Sequence, residues 1–201
     1  MGKMGKRQVT DPDDLLARHL AGRMTDVYLK DRLREEMRRR VSENPHADPA
    51  PVVKEIAAYL AERPGLKVVA VFAAMPGEVD LRALPAEIGR VWVFPKVEAG
   101  DLVFQEVRDF EKDMEKGAYG IMEPKAGLRQ LGIVEVDIFL CPGLAFDPTG
   151  GRIGRGKGFY DRMLKQARPD AVKLGVCFGY QLVEEIVMEE HDVRMNGVIA
   201  G

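Results

Sequence analysis

Hydrophobic positions along this chain recur in two rhythms. From Val27 to Ser42 they fall mostly three or four apart, at Leu29, Leu33 and Met37, with charges on the other faces. That spacing predicts an amphipathic helix, and Thr25-Asp26 supplies an N-cap for it. Leu15 to Met24 predicts a shorter helix ahead of it, and Met1 to about Asp14 is polar and reads as loose. A further helix opens at Asp48, carries Val52, Ile56, Tyr59 and Leu60 on one side, and stops at Pro64-Gly65. The second rhythm is the short, continuous, β-prone run closed by turn residues. Lys67–Met75, Arg90–Val97, Asp101–Val107, Val136–Cys141, Lys173–Gly179 and Arg194–Ala200 all read as strands. Phe159, Met163 and Ala167 predict a helix by their fourfold spacing, and Gln181–Glu190 predicts another short one.

One stretch departs from both rhythms. Between the strand ending at Cys141 and the helix beginning at Phe159 lie Gly150, Gly151, Gly154, Gly156 and Gly158, interleaved with Arg152, Arg155 and Lys157. Glycine lets backbone approach a ligand closely and adopt positive φ. Free N–H groups where a helix starts favour an anion, and Arg and Lys add full charges. A polyphosphate is the natural guest; a basic surface loop that merely connects is the alternative. Two known phosphate motifs do not fit. Gly158 stands where a P-loop needs Ser or Thr, and the alternating glycines give GxGxG rather than GxGxxG.

Composition narrows the class. With 201 residues, 46% of them hydrophobic and 31% charged, the chain supports a globular core and argues against disorder. A net charge of −2 leaves no overall basic field for nucleic acid, so a basic site must be local. Cys141 and Cys177 sit in apolar runs and read as reduced, buried thiols. No apolar run is long enough for a membrane span and the start lacks a secretory h-region, so the expected place is the cytoplasm.

The run PGLAFDPTGGRIGRGKGFYDRML resembles the signature of the 5-formyltetrahydrofolate cyclo-ligase family, also called methenyltetrahydrofolate synthetases, roughly PGxxFDxxGxRxGxGxGYYDRxL. KDRLR at Lys30–Arg34, EVD at Glu78–Asp80, FPKV at Phe94–Val97, KGAYGIMEP at Lys116–Pro124 and HDV at His191–Val193 resemble further family segments. The resemblance spans about Lys30 to Gly201. It goes with a single three-layer α/β domain over residues 25–201, a mostly parallel central sheet flanked by helices, and residues 1–24 as an N-terminal extension.

The resemblance implies ATP-dependent cyclisation of 5-formyltetrahydrofolate to 5,10-methenyltetrahydrofolate, with ADP and phosphate released. It implies ATP contacts at Lys30, Arg34, Arg152, Ile153, Gly154, Arg155, Gly156, Lys157, Gly158, Phe159 and Tyr160. Folate contacts are implied at Ala73, Glu78 and Tyr119, together with Arg155 to Phe159 on the loop, and Arg155 and Lys157 are the expected catalytic cations. Mg²⁺ is implied at Asp161 and Asn196. Many relatives carry Asp at the latter position, so the ion is held there through water, weakly by Asn196, or chiefly by Asp161 and ATP. One hydroxyl is also absent, because Phe159 precedes Tyr160 where the family has two tyrosines.

Blander readings stand beside these. The charges of Lys30, Arg34 and Arg38 also suit a solvated helix face, Glu78 a turn cap, and His191 a structural hydrogen bond. Asp80 reads as the N-cap of a helix over LRALPAEIG. Lys96 is a site-lining cation or a bystander. The expected partners are a reduced folate and ATP, with no nucleic acid, no membrane and a monomeric state. A non-catalytic folate- or nucleotide-binding protein of the same fold is the alternative, and an RNA-binding reading lacks aromatic residues among its basic ones.

Overall fold

In the computed structural model, residues 12–84, 89–117 and 120–201 are described, with side chains from Asp26 onward. The chain opens with α1 (Pro12–Glu43) and α2 (Ala50–Ala61), then β1 (Val68–Ala70), β2 (Val91–Glu98) and β3 (Asp101–Glu106). A single turn, α3 (Phe110–Asp113), leads to the hairpin β4 (Met114–Lys116) and β5 (Met122–Pro124), then β6 (Gln130–Leu131) and β7 (Ile138–Pro142). The small ladder β8 (Ala145–Phe146) and β9 (Arg152–Ile153) precedes α4 (Phe159–Leu164), β10 (Val172–Cys177) and β11 (Gly197–Ala200).

Seven strands form the central sheet in the order β11-β10-β7-β1-β2-β3-β6. The first five are mutually parallel, and β3 pairs antiparallel with both β2 and β6. A parallel sheet must be covered on both faces, and the sequence supplies both covers. Val69, Ile138, Leu140, Leu174 and Val176 point to one side, where Val52, Ile56 and Leu60 of α2 bury against them. Ala70, Phe139, Cys141 and Cys177 point to the other, against Met163 and Leu164 of α4. The two-residue period of the strands sorts their side chains between the two helical layers. A third, smaller cluster seats Met37 of α1 on Leu144, Ala145, Ile153 and Ile186.

Three local expectations are corrected. Thr25-Asp26 caps nothing: α1 runs unbroken from Pro12 to Glu43, across the expected boundary at residue 24. No proline lies between Pro12 and Pro45 to stop it, and a Ser/Thr/Asp signal alone does not end a helix that its neighbours continue. Gln181–Glu190 is not a helix; a 3-10 turn over Gly179–Gln181 is followed by irregular chain. Gln181 is wholly buried there. Its amide donates to the carbonyls of Gly143 (3.1 Å) and Leu144 (3.2 Å) and accepts from the Phe178 N–H (2.9 Å), which fixes the turn by tertiary contacts. Asp80 takes the Arg82 N–H at 3.0 Å in a turn over Leu81–Leu84, and residues 85–88 lie outside the described part.

Candidate active site

The crevice follows from strand order. From β1 the chain moves to β2 on one side; from β7 it moves to β10 and β11 on the other. The carboxyl ends of β1 and β7 therefore face a topological switch point, where α/β sheets place their ligands. Glu78 follows β1 and the glycine-and-cation loop follows β7, so the two motifs singled out in sequence meet there. Arg155 joins them. Its Nε donates to the Glu78 carboxylate at 3.1 Å and its Nη2 to the Pro76 carbonyl at 3.0 Å. The second Glu78 oxygen accepts the Met75 N–H at 3.0 Å, and the side chain is only 7% exposed.

From the far side α1 reaches the same loop. Arg34 Nε donates to the Gly154 carbonyl at 3.1 Å while its Nη1 holds Asp31 at 2.6 Å. The guanidinium lies beside Gly156, whose φ of +98° is a conformation that a side chain would strain. Gly150, at φ +87°, shares that reason and adds another: a Cβ there would stand 2.2 Å from the Met195 carbonyl oxygen.

Arg152 and Asp161 use each other. Arg152 is buried, and its Nη2 lies 3.0 Å from both oxygens of Asp161. Its Nη1 donates to the Pro142 carbonyl at 3.3 Å, and its guanidinium lies 5.4 Å from the Tyr160 ring centre. Of the three loop cations, Arg155 and Lys157 are exposed and Arg152 is not, because its fork is enclosed at the base of the loop. Asp161 also accepts the Val193 N–H at 3.3 Å.

Asn196, the other expected metal ligand, accepts the Lys173 N–H at 2.7 Å at the start of β10. That engages its side-chain oxygen, while its neighbour Met195 donates its N–H to the Gly150 carbonyl at 2.8 Å, so this segment borders the glycine loop. Asp161 does have a carboxylate at the loop's base. This suits Mg²⁺, which commonly takes one or two carboxylates and fills its remaining positions with phosphate and water.

Lys30 lies elsewhere on α1. Its Nζ sits 2.5 Å from both Glu189 and Asp192, and the residue is buried. Burial would lower the pKa of this ammonium, but the hydrogen bonds it donates to Asp192 and Glu189 outweigh that and hold it above the ordinary value. His191 is 62% exposed, 3.7 Å from Glu189 and 3.6 Å from Asp192. Ile153 is buried in the α1 cluster and Ala73 packs on the core, so each offers shape rather than charge. Phe159 lies under Arg162, 5.1 Å from ring centre to guanidinium, and Gly158 takes φ 65° at the head of α4. Lys96 donates to the Pro124 carbonyl at 2.9 Å, tying β2 to the β4–β5 hairpin. Tyr119 lies outside the described residues.

No thiol is poised as a nucleophile. Burial pushes both Cys141 and Cys177 up to about 12, and both are free. Burial likewise drives the Tyr160 hydroxyl well above its usual range.

Sequence reading missed Asp147. It is 1% exposed and accepts four hydrogen bonds: from the Thr149 N–H (2.8 Å) and hydroxyl (2.7 Å), the Gly151 N–H (2.9 Å) and the Ile186 N–H (2.9 Å). Asp-Pro-Thr-Gly is an Asx-turn signal, so half of this role was readable; the Ile186 contact was not.

A cationic glycine loop and a buried carboxylate, meeting across the switch point of a covered parallel sheet, define an α/β protein with a polar ligand crevice. Residues 24–201 match the model described as the 5-formyltetrahydrofolate cyclo-ligase family, and the chain belongs to that family. The 5-formyltetrahydrofolate cyclo-ligase of Escherichia coli K12 is 32% identical over 139 residues, covering 65% of this chain and 76% of that protein. The Mycolicibacterium smegmatis cyclo-ligase is 43% identical over a shorter stretch, 40% of this chain and 42% of the relative. The solution structure of Aquifex aeolicus 5,10-methenyltetrahydrofolate synthetase superimposes with a TM-score of 0.71 at 29% identity, covering 86% of this chain and 89% of that one.

Proposed function

We propose that this enzyme cyclises 5-formyltetrahydrofolate to 5,10-methenyltetrahydrofolate at the expense of ATP, working as a cytoplasmic monomer. Family membership supports the reaction, and no described helix is long and apolar enough to cross a membrane. The observation that supports the reading is the Arg155–Glu78 bridge, which brings the glycine-and-cation loop and a carboxylate together at one point of the sheet. The formyl oxygen attacks the γ-phosphorus and ADP leaves; N10 then attacks the activated carbon, the ring closes and phosphate departs. Such a transfer asks for positioning and charge stabilisation rather than a protein nucleophile. Arg155 and Lys157 neutralise oxygens as charge moves to them, and the loop's backbone N–H groups hold the phosphates. Glu78 accepts hydrogen bonds from the pterin. Arg34 secures the loop from α1. Asp161, oriented by Arg152, is the residue that would hold Mg²⁺, which would neutralise phosphate charge when bound.

The test is a rise in methenyltetrahydrofolate absorbance that requires ATP; binding of folate without any rise would leave the non-catalytic alternative standing. In the same assay, Asn196→Asp is expected to leave the half-maximal Mg²⁺ concentration within about twofold, because that side chain faces Lys173. A clear tightening would return this position to the metal site.

A further inference from the structure

Lys157 sits between two glycines that both take positive φ, Gly156 at 98° and Gly158 at 65°. Glycine adopts either sign of φ at little cost, so the local chain does not by itself fix where the lysine between them stands. The loop before it is tied from outside. Arg34 of α1 holds the Gly154 carbonyl, and Arg155 is held by Glu78 and Pro76. At Lys157 a tie comes from α4.

That tie is Arg162. Its Nη1 donates to the Lys157 carbonyl at 2.9 Å. The same guanidinium reaches the turn between β2 and β3, where Nη2 donates to the Gly100 carbonyl at 3.4 Å and Nε lies 3.8 Å from the Asp101 carboxylate. Glu98 and Asp101 pair across that turn, and Ala99 and Gly100 between them both take positive φ, as a tight hairpin requires. The far anchor is therefore the closed end of a hairpin. The Phe159 ring flanks the guanidinium at 5.1 Å. A Cβ at Gly158 would stand 3.2 Å from Nη1, so this glycine also makes room for the tie. A guanidinium carries its donors in fixed directions, which suits it to hold two carbonyls at a set separation.

We propose that Arg162 is a positioning residue: by holding the Lys157 carbonyl against the β2–β3 turn, it sets where the lysine's ammonium meets the phosphate oxygens. The assignment rests on the reaction proposed above. Two arms of Arg162 are spent on backbone carbonyls, so it acts through Lys157 rather than on the nucleotide.

The experiment measures turnover of the wild-type chain, Arg162→Ala, Arg162→Lys, Lys157→Ala and the double variant Arg162→Ala/Lys157→Ala. Loss of a charge-assisted bond at a half-exposed site predicts a fall in kcat of about tenfold for Arg162→Ala, with the thermal midpoint within a few degrees. Arg162→Lys keeps the charge and one tie, and should recover to within about threefold of wild type. In the Lys157→Ala background, Arg162→Ala should cost less than about twofold, because the group it positions is already gone. A full loss there overturns the proposal and gives Arg162 an action of its own. Trypsin cleavage of the folded chain at Lys157–Gly158, followed by mass spectrometry, reads the tie without any activity. Arg162→Ala should speed that cut about tenfold and leave cuts elsewhere within about twofold. An unchanged rate overturns the tie whether or not the chain turns over. A wild-type chain that turns over while Arg162→Ala keeps its full rate refutes the positioning and leaves the proposed reaction standing. A wild-type chain without ATP-dependent turnover refutes the reaction and the lysine's role in it.

Discussion

Arg155→Ala is expected to lower kcat by about 10²–10³-fold while leaving the thermal midpoint within a few degrees. The size follows from the loss of a preorganised charge at a site where charge develops, about 2.7–4 kcal/mol in comparable cases. The fall in stability should stay small because Arg155 is 36% exposed and Glu78, itself only 7% exposed, keeps the hydrogen bond from the Met75 N–H. Arg155 reaches Glu78 and Pro76, so it has two ways to matter: by orienting the carboxylate or by meeting the phosphates. A double-mutant cycle with Glu78→Gln separates them. If Arg155 acts on the phosphates, its loss multiplies the defect of Glu78→Gln and raises the KM for ATP. If the double variant is no slower than Glu78→Gln alone, Arg155 is only the carboxylate's support.

Asp147→Ala should act on the fold instead. Removing this carboxylate leaves the N–H groups of Thr149, Gly151 and Ile186 without their acceptor in a buried place. At about 1–3 kcal/mol for each buried group left unpaired, the loss is about 3–5 kcal/mol, allowing for partial rescue by water. Urea unfolding checks it; a loss under about 1 kcal/mol would mean the turn stands without its acceptor. The same carboxylate makes a pH prediction. Burial raises its pKa, but the hydrogen bonds from Thr149, Gly151 and Ile186 outweigh burial and hold it below the ordinary 3.8. The unfolded chain then takes up a proton first as the medium acidifies. The stabilisation is therefore complete above about pH 4 to 5 and is lost as pH falls through the lower folded value. Asp147→Asn should flatten that acid limb of the stability curve.

Candidate residues for the site were legible before any fold was known. Glycine and guanidinium spacing between a strand and a helix marked out a loop suited to an anion, and its place just past a strand end marked Glu78 as a candidate ligand contact; that the two meet came from strand order. Both signals are local chemistry, readable from residues adjacent in the chain. Other features were not legible because they depend on which distant residues meet. Arg152 belonged by sequence to the loop's cations, and only the packing of β9 beneath Pro142 turned it toward Asp161. Lys30 looked like a ligand residue on a charged face, while the irregular chain after β10 brings Glu189 and Asp192 onto it. Gln181 belonged to a predicted helix, yet its side chain is spent on carbonyls 37 and 38 positions away.

By itself the sequence determined the alternation of strands and helices and the glycine-and-cation loop between a strand and a helix, because period, glycine placement and charge act over a few residues. The tertiary structure alone decided which cations face the crevice and which are consumed as internal ties. Those outcomes depend on strand order and on burial, where a charge must find its partner across the whole chain or remain in water.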